Sequence, residues 1–171
     1  MEYYSEAVKA HYLDASALVK LVADDRNEAP GREELRKYYR QHSGFLATSY
    51  CVSEALNVLK VKHMYRHELT KQEYLDTIKR FITGVIGGKL EIDELPILSP
   101  KLLQEAEILI TKHTVDFIDC AQIVTVKHGR FSVLAGDSKS VLITADKELA
   151  RVARQEGVRV WECTSEVPPT K

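Results

Sequence analysis

Nowhere in the chain do about 18 apolar residues run together, and the opening MEYYSEAVKAHYLD scatters charges where an export signal needs an apolar core. Membrane-spanning and secreted readings are set aside, and a soluble, cytoplasmic protein is expected. Cysteine is scarce. Cys51, Cys120 and Cys163 are odd in number and widely spaced, which argues against a disulfide framework and a zinc site and for small packed side chains. Charge of one sign is also lacking: 24 Lys plus Arg face 25 Asp plus Glu. A basic coat for nucleic acid is therefore absent, and any phosphate contact must rely on a local patch. With no repeat, low-complexity tract or interdomain linker, residues 1–171 read as one domain whose tail, from about 165 to 171, is expected to fray.

What is present alternates. The apolar run His11 to Leu13 ends at Asp14 and gives way to helical composition over 15–23. A charged helix is expected over Glu33 to Gln41, after Pro30 and before Gly44. Next come a short strand from Phe45 to Thr48 and a helix capped by Ser49 that carries Glu54. Thr70 and Glu73 form a capping box for a helix that should fade at Gly84, Gly87 and Gly88. Ile92 to Leu98 contains Pro96 and so reads as an edge strand, followed by a helix from Ser99 and Pro100 to Lys112. A helix over Val115 to His128, a buried strand over Val141 to Ile143, a helix over Lys147 to Gln155 and a strand over Val158 to Trp161 complete the pattern. Strands that alternate with helices pair in parallel, so the expected class is α/β: a three-layer α/β/α fold around a mostly parallel sheet.

Four acids stand out. Asp14 and Asp146 each end an apolar strand and open a helix, the edge at which open α/β sheets bind ligands. Asp119 shares a helix face with Val115, Ile123 and Val126, and Glu54 one with Val58 and Val61. A carboxylate on an apolar stripe is unfavourable unless a metal or a basic side chain partners it. Taken singly, Asp14 and Asp146 are equally explained as helix caps, Asp119 as half of a salt bridge and Glu54 as a solvated residue. Their joint occurrence, in this order on these elements, carries the argument.

In these stretches the chain resembles the PIN-domain nucleases, and among them the VapC-like toxins of VapBC toxin–antitoxin systems. The motifs are HYLDASALVKLV, ATSYCVSEALNVL, VDFIDCAQIV and VLITADKELARVA followed by GVRVW, and together they span nearly the whole chain. The resemblance implies one site built from Asp14, Glu54, Asp119 and Asp146, with Ser16 and Thr144 as polar partners. Local turn hydrogen bonding explains those two hydroxyls equally well. Asp116, one turn before Asp119, competes for the third-acid role. Two departures are visible: Cys-Ala-Gln in the third motif, where small and aliphatic residues are usual, and a region from Glu68 to Glu94 longer than in compact members.

Hard oxygen ligands without His or Cys favour Mg²⁺ or Mn²⁺, and the expected reaction is metal-dependent endonucleolytic hydrolysis of RNA. Asp14, Asp119 and Asp146 are the expected principal ligands, with Glu54 either a ligand or an organiser of the attacking water. Lys60, Lys62 and Arg66, with Lys127 and Arg130, are candidates for guiding the RNA backbone, although cations near helix C-termini are favoured by the helix dipole alone. The resemblance further implies a homodimer and a VapB-like antitoxin. Two other readings compete. One is a non-catalytic RNA-binding or interaction module on the same fold. The other, a phosphatase similar to the haloacid dehalogenases, needs a second acid two residues after Asp14, where this chain has Ser16.

Overall fold

The computed structural model describes residues 8–137 and 139–169. Strand β1 (Ala10–Leu13) leads into α1 (Ala15–Val22), and a 3-10 turn (Arg26–Glu28) and α2 (Arg32–Gln41) precede β2 (Phe45–Ala47). Helices α3 (Ser49–Met64) and α4 (Lys71–Arg80) follow, the second continuing through wide π turns at Phe81–Lys89 into β3 (Leu90–Ile92). Then come α5 (Pro100–His113), α6 (Phe117–His128), the short α7 (Ser132–Gly136), β4 (Ser140–Thr144), α8 (Lys147–Gln155) and β5 (Val160–Glu162).

Every connection carries a helical crossover, and all the strand pairings are parallel, in the order β3-β2-β1-β4-β5. Side chains alternate across this sheet. Leu13, Phe45, Ala47, Val141, Ile143 and Trp161 pack with α1, α2, α3 and the π turns on one face. Ala10, Tyr12, Leu46 and Leu142 pack with α5, α6 and α8 on the other. Strands β1 and β4 are buried along their whole length, as central parallel strands must be when both faces are covered. The architecture is the three-layer α/β/α fold expected. Among the described residues no helix is long and apolar enough to cross a membrane.

Several boundaries differ from the sequence reading, each for a local reason. The edge strand lies at Leu90–Ile92, ahead of Pro96, because only there does the chain run beside β2. Thr48, not Ser49, caps α3 by accepting from the Cys51 amide. Helix α6 starts at Phe117, because Asp116 is the N-cap and excludes Val115 from the helix. The segment carrying Gly84, Gly87 and Gly88 continues from α4 as π turns that begin already at Phe81, and the break comes at Gly88. Within the segment expected to fray, Glu166 is tied down by an ion pair to Arg154, and its carbonyl accepts from the Trp161 indole. Residues 170–171 lie outside the described residues.

One basic residue is placed against expectation. Lys62 is buried, and its ammonium reaches Asp25 at 3.2 Å, Glu28 at 3.0 Å and Glu68 at 2.8 Å. It is therefore withdrawn from any RNA surface. Burial by itself would lower its pKa, but the hydrogen bonds it donates to Glu68, Glu28 and Asp25 outweigh that effect and hold it raised. Replacing Lys62 by Met should destabilise the fold by about 3–5 kcal/mol, since it takes their cation from Asp25 and Glu68 and leaves Glu28 with Lys20 alone. Urea denaturation at pH 7 measures this, and a change below about 1 kcal/mol would mean the cluster is effectively solvated.

Candidate active site

The β1–β4 pairing aligns Leu13 with Ile143, so the two chains leave the sheet side by side at their carboxyl ends. Asp14 and Asp146 are the residues that leave it, and both open helices. Asp14 Oδ1 accepts from the Ala17 amide at 2.7 Å, and Asp146 Oδ1 accepts from the Glu148 and Leu149 amides at 2.7 and 3.0 Å. The local cap explanation of each is thus correct as far as it goes. The hydroxyls of Thr144 and Ser16 then tie the two loops into one unit. Thr144 Oγ1 donates to Asp14 Oδ2 at 2.6 Å and accepts from the Asp146 amide at 2.9 Å. Ser16 Oγ shares its proton between the two Asp14 oxygens, at 2.9 and 2.8 Å, and accepts from the Ala145 amide at 2.8 Å. These bonds cross between the motifs and are more than local turns.

Asp14 is 4% exposed. Burial raises its pKa to about 6, in spite of the hydrogen bonds from Thr144, Ala17 and Ser16, and the charge of Asp146 adds to the rise. Three donors make four contacts to its carboxylate, two on each oxygen, and hold it in one orientation.

Asp119 and Glu54 are placed differently. Among the described residues neither carboxylate has a hydrogen-bond or ion-pair partner. Burial, followed by the charges of Asp116, Asp14, Asp146 and Glu54, pushes Asp119 up to about 7. Burial, with Asp116 and Asp146, also raises Glu54. The fold therefore brings four acids from four elements within electrostatic range, and among the described residues no cation pairs with Asp119 or Glu54. Asp116 is exposed and its Oδ1 accepts from the Asp119 amide at 2.9 Å, so it caps α6 and adds charge from the rim.

Among the described residues no three His, Cys, Asp or Glu side chains are drawn close enough to enclose an ion as they stand. Like charges without a counterion hold one another apart. The donor set is nonetheless all carboxylate oxygen with adjacent hydroxyls, which fits a hard divalent cation and not zinc.

The remaining candidates fall outside this group. Lys127 is drawn to Glu156 at 3.5 Å, beyond the far end of α8 from Asp146, and a nine-residue helix spans about 13 Å. Arg130 pairs with Glu91 at 3.2 Å and covers the Phe131 ring. Lys60 and Arg66 are exposed, past the middle of the helix that carries Glu54 and just beyond its end. One acid at the same sheet edge escaped the sequence reading: Glu94, whose Oε2 accepts from the Ser49 amide and hydroxyl, each at 2.6 Å. It follows an edge strand with no motif around it, so no periodicity marks it.

A family model described as "PIN domain" matches residues 11–155. Two solved structures are similar over most of the chain. PAE2754 from Pyrobaculum aerophilum has a TM-score of 0.55 at 19% identity, covering 91% of this chain and 90% of that one. FitAcB from Neisseria gonorrhoeae has a TM-score of 0.57 at 11% identity, covering 91% and 99%. At such identities the likeness is one of fold. Among curated proteins none matches the chain.

The raised carboxyls have a thermodynamic consequence. With native pKa values near 6 and 7 against about 4 when unfolded, Asp14 and Asp119 hold more protons in the native state across that interval. The contribution of these two acids to stability is therefore greatest at the acid end and falls as pH rises from about 4 to about 7, while His11, lowered to about 4 by burial, acts in the opposite sense. Asp119→Asn should raise the melting temperature at pH 8 by about 2–4 °C, the shift that roughly 1 kcal/mol produces in a domain of this size, and leave it unchanged at pH 4.5. Calorimetric scans in chelator measure both, and equal shifts at the two pH values would contradict the assignment.

Proposed function

The chain belongs to the PIN-domain family, and from that premise we propose that it is a divalent-metal-dependent endoribonuclease, a VapC-like toxin, using Mg²⁺ or Mn²⁺. The observation that carries this reading is that Asp119 and Glu54, without a partner among the described residues, lie within electrostatic range of Asp14 and Asp146. Such an arrangement is electrostatically unfavourable by itself and becomes favourable around a cation.

Asp14, Asp119 and Asp146 would hold the ion, with Glu54 completing the shell or ordering the attacking water. When bound, the cation supplies Lewis acidity to the phosphodiester and acidifies the water that attacks it. The chain's own residues do the rest. Thr144 and Ser16 fix the Asp14 carboxylate in one orientation, and the α8 amides fix that of Asp146. Burial of Asp14 excludes water from the inner side of the site and strengthens every charge interaction there. Backbone guidance of the RNA falls to Lys60 and Arg66, since Lys62 is buried and Lys127 and Arg130 are engaged elsewhere.

The VapB-like antitoxin and the homodimer are carried by the resemblance of the motifs. The second reading, an inert RNA-binding or interaction module, is favoured by the absence of a closed three-ligand cluster among the described residues. One experiment separates the two. Cleavage of single-stranded RNA should require Mg²⁺ or Mn²⁺ and should fall more than about 100-fold in Asp14→Asn, the loss expected when several kcal/mol of metal-derived stabilisation is removed. Circular dichroism should show the variant folded. Full metal-dependent cleavage by a folded Asp14→Asn protein would remove the mechanism, and absence of cleavage and of Mn²⁺ binding in the native chain would favour the inert module.

A further inference from the structure

The two carboxylates, without a partner among the described residues, ride on different helices, and a side-chain hydrogen bond joins those helices. The Cys51 thiol in α3 donates to Gln122 Oε1 in α6 at 3.1 Å. Glu54 lies three residues after Cys51, and Asp119 three residues before Gln122, so each acid is one turn from the contact and on its side of the helix. The thiol feels the charges of Asp14 and Glu54, which places the contact at the floor of the acidic group. Burial pushes the thiol up to about 12, so it keeps the proton it donates.

Gln122 is a costly way to fill this space. It is fully buried, and its Nε2 has no partner among the described residues. An unsatisfied buried amide donor is unfavourable by about 1–3 kcal/mol, whereas an aliphatic side chain of similar size would avoid the penalty. The motif resemblance likewise leads one to expect a small or aliphatic residue here. Packing alone therefore does not account for the glutamine.

We propose that the Cys51–Gln122 hydrogen bond is a positioning contact that sets the gap between the Glu54 and Asp119 carboxylates, and through it the affinity of the acidic site for its divalent ion. The inference rests on the metal-dependent reading above and adds two residues to it, neither of which touches the ion.

The test is Mn²⁺ binding to the full chain, followed by the paramagnetic signal of free Mn²⁺, with urea stability measured in parallel. Gln122→Leu should be as stable as the native chain or more so, yet bind Mn²⁺ about 10- to 100-fold more weakly, the range typical of lost outer partners of metal ligands. Cys51→Ser, which keeps a donor, should retain more affinity than Cys51→Ala. Affinity unchanged within about twofold in Gln122→Leu would overturn this proposal and leave the nuclease reading standing. Affinity and stability falling together would assign the pair to packing and overturn it as well. A native chain that binds no Mn²⁺ would overturn both.

Discussion

The parallel pairing of β1 with β4 is the constraint from which the rest of the candidate site follows. Ladder bonds run to the last residues of both strands, the Asp14 amide still donating to the Ile143 carbonyl at 3.2 Å. The chains therefore cannot diverge before Asp14 and Asp146 have left the sheet together. Parallel strands need a crossover between them, and that crossover is most of the protein: everything from α1 to α7 lies between β1 and β4 in sequence. The helices that bring in Glu54 and Asp119 are parts of it.

That geometry sets folding against function. Two of the acids serve the fold as helix caps, a role any Asp at such a turn fills. The other two contribute nothing evident to stability, and their raised pKa values measure the strain of placing negative charge where burial and neighbouring acids oppose it. The same arrangement that weakens the metal-free protein near neutral pH is what would make a divalent cation welcome, so stability and ion binding become one linked quantity. The buried Cys51–Gln122 contact belongs to this balance, keeping a polar pair where an apolar one would pack with less penalty.

The basic residues follow a different logic. Lys62 lies buried within three carboxylates, and Lys127 shares Glu156 with Lys112 and His113. Lys62 neutralises acids within the β1–β4 crossover, and Lys127, Lys112 and His113 share one acid at the end of α8. Periodicity could place these cations on helices but not reveal their partners, because Asp25, Glu28 and Glu156 come from loops and turns that carry no helical register.

By itself the sequence determined most of the strands and helices, though neither the edge strand's place nor α7, and a mostly parallel sheet. Short-range periodicity, capping chemistry and the need of apolar faces for cover set these along the chain, and the four acids were marked by the resemblance of the motifs. Only the tertiary structure decided that β1 and β4 are neighbours, that Thr144 reaches across 130 positions to Asp14, and that Lys62 faces inward. It also shifted the edge strand ahead of Pro96 and made Phe117, capped by Asp116, the start of α6. Those outcomes depend on which distant surfaces meet, and the energy of a buried ion pair or a shared hydroxyl exists only once they have met.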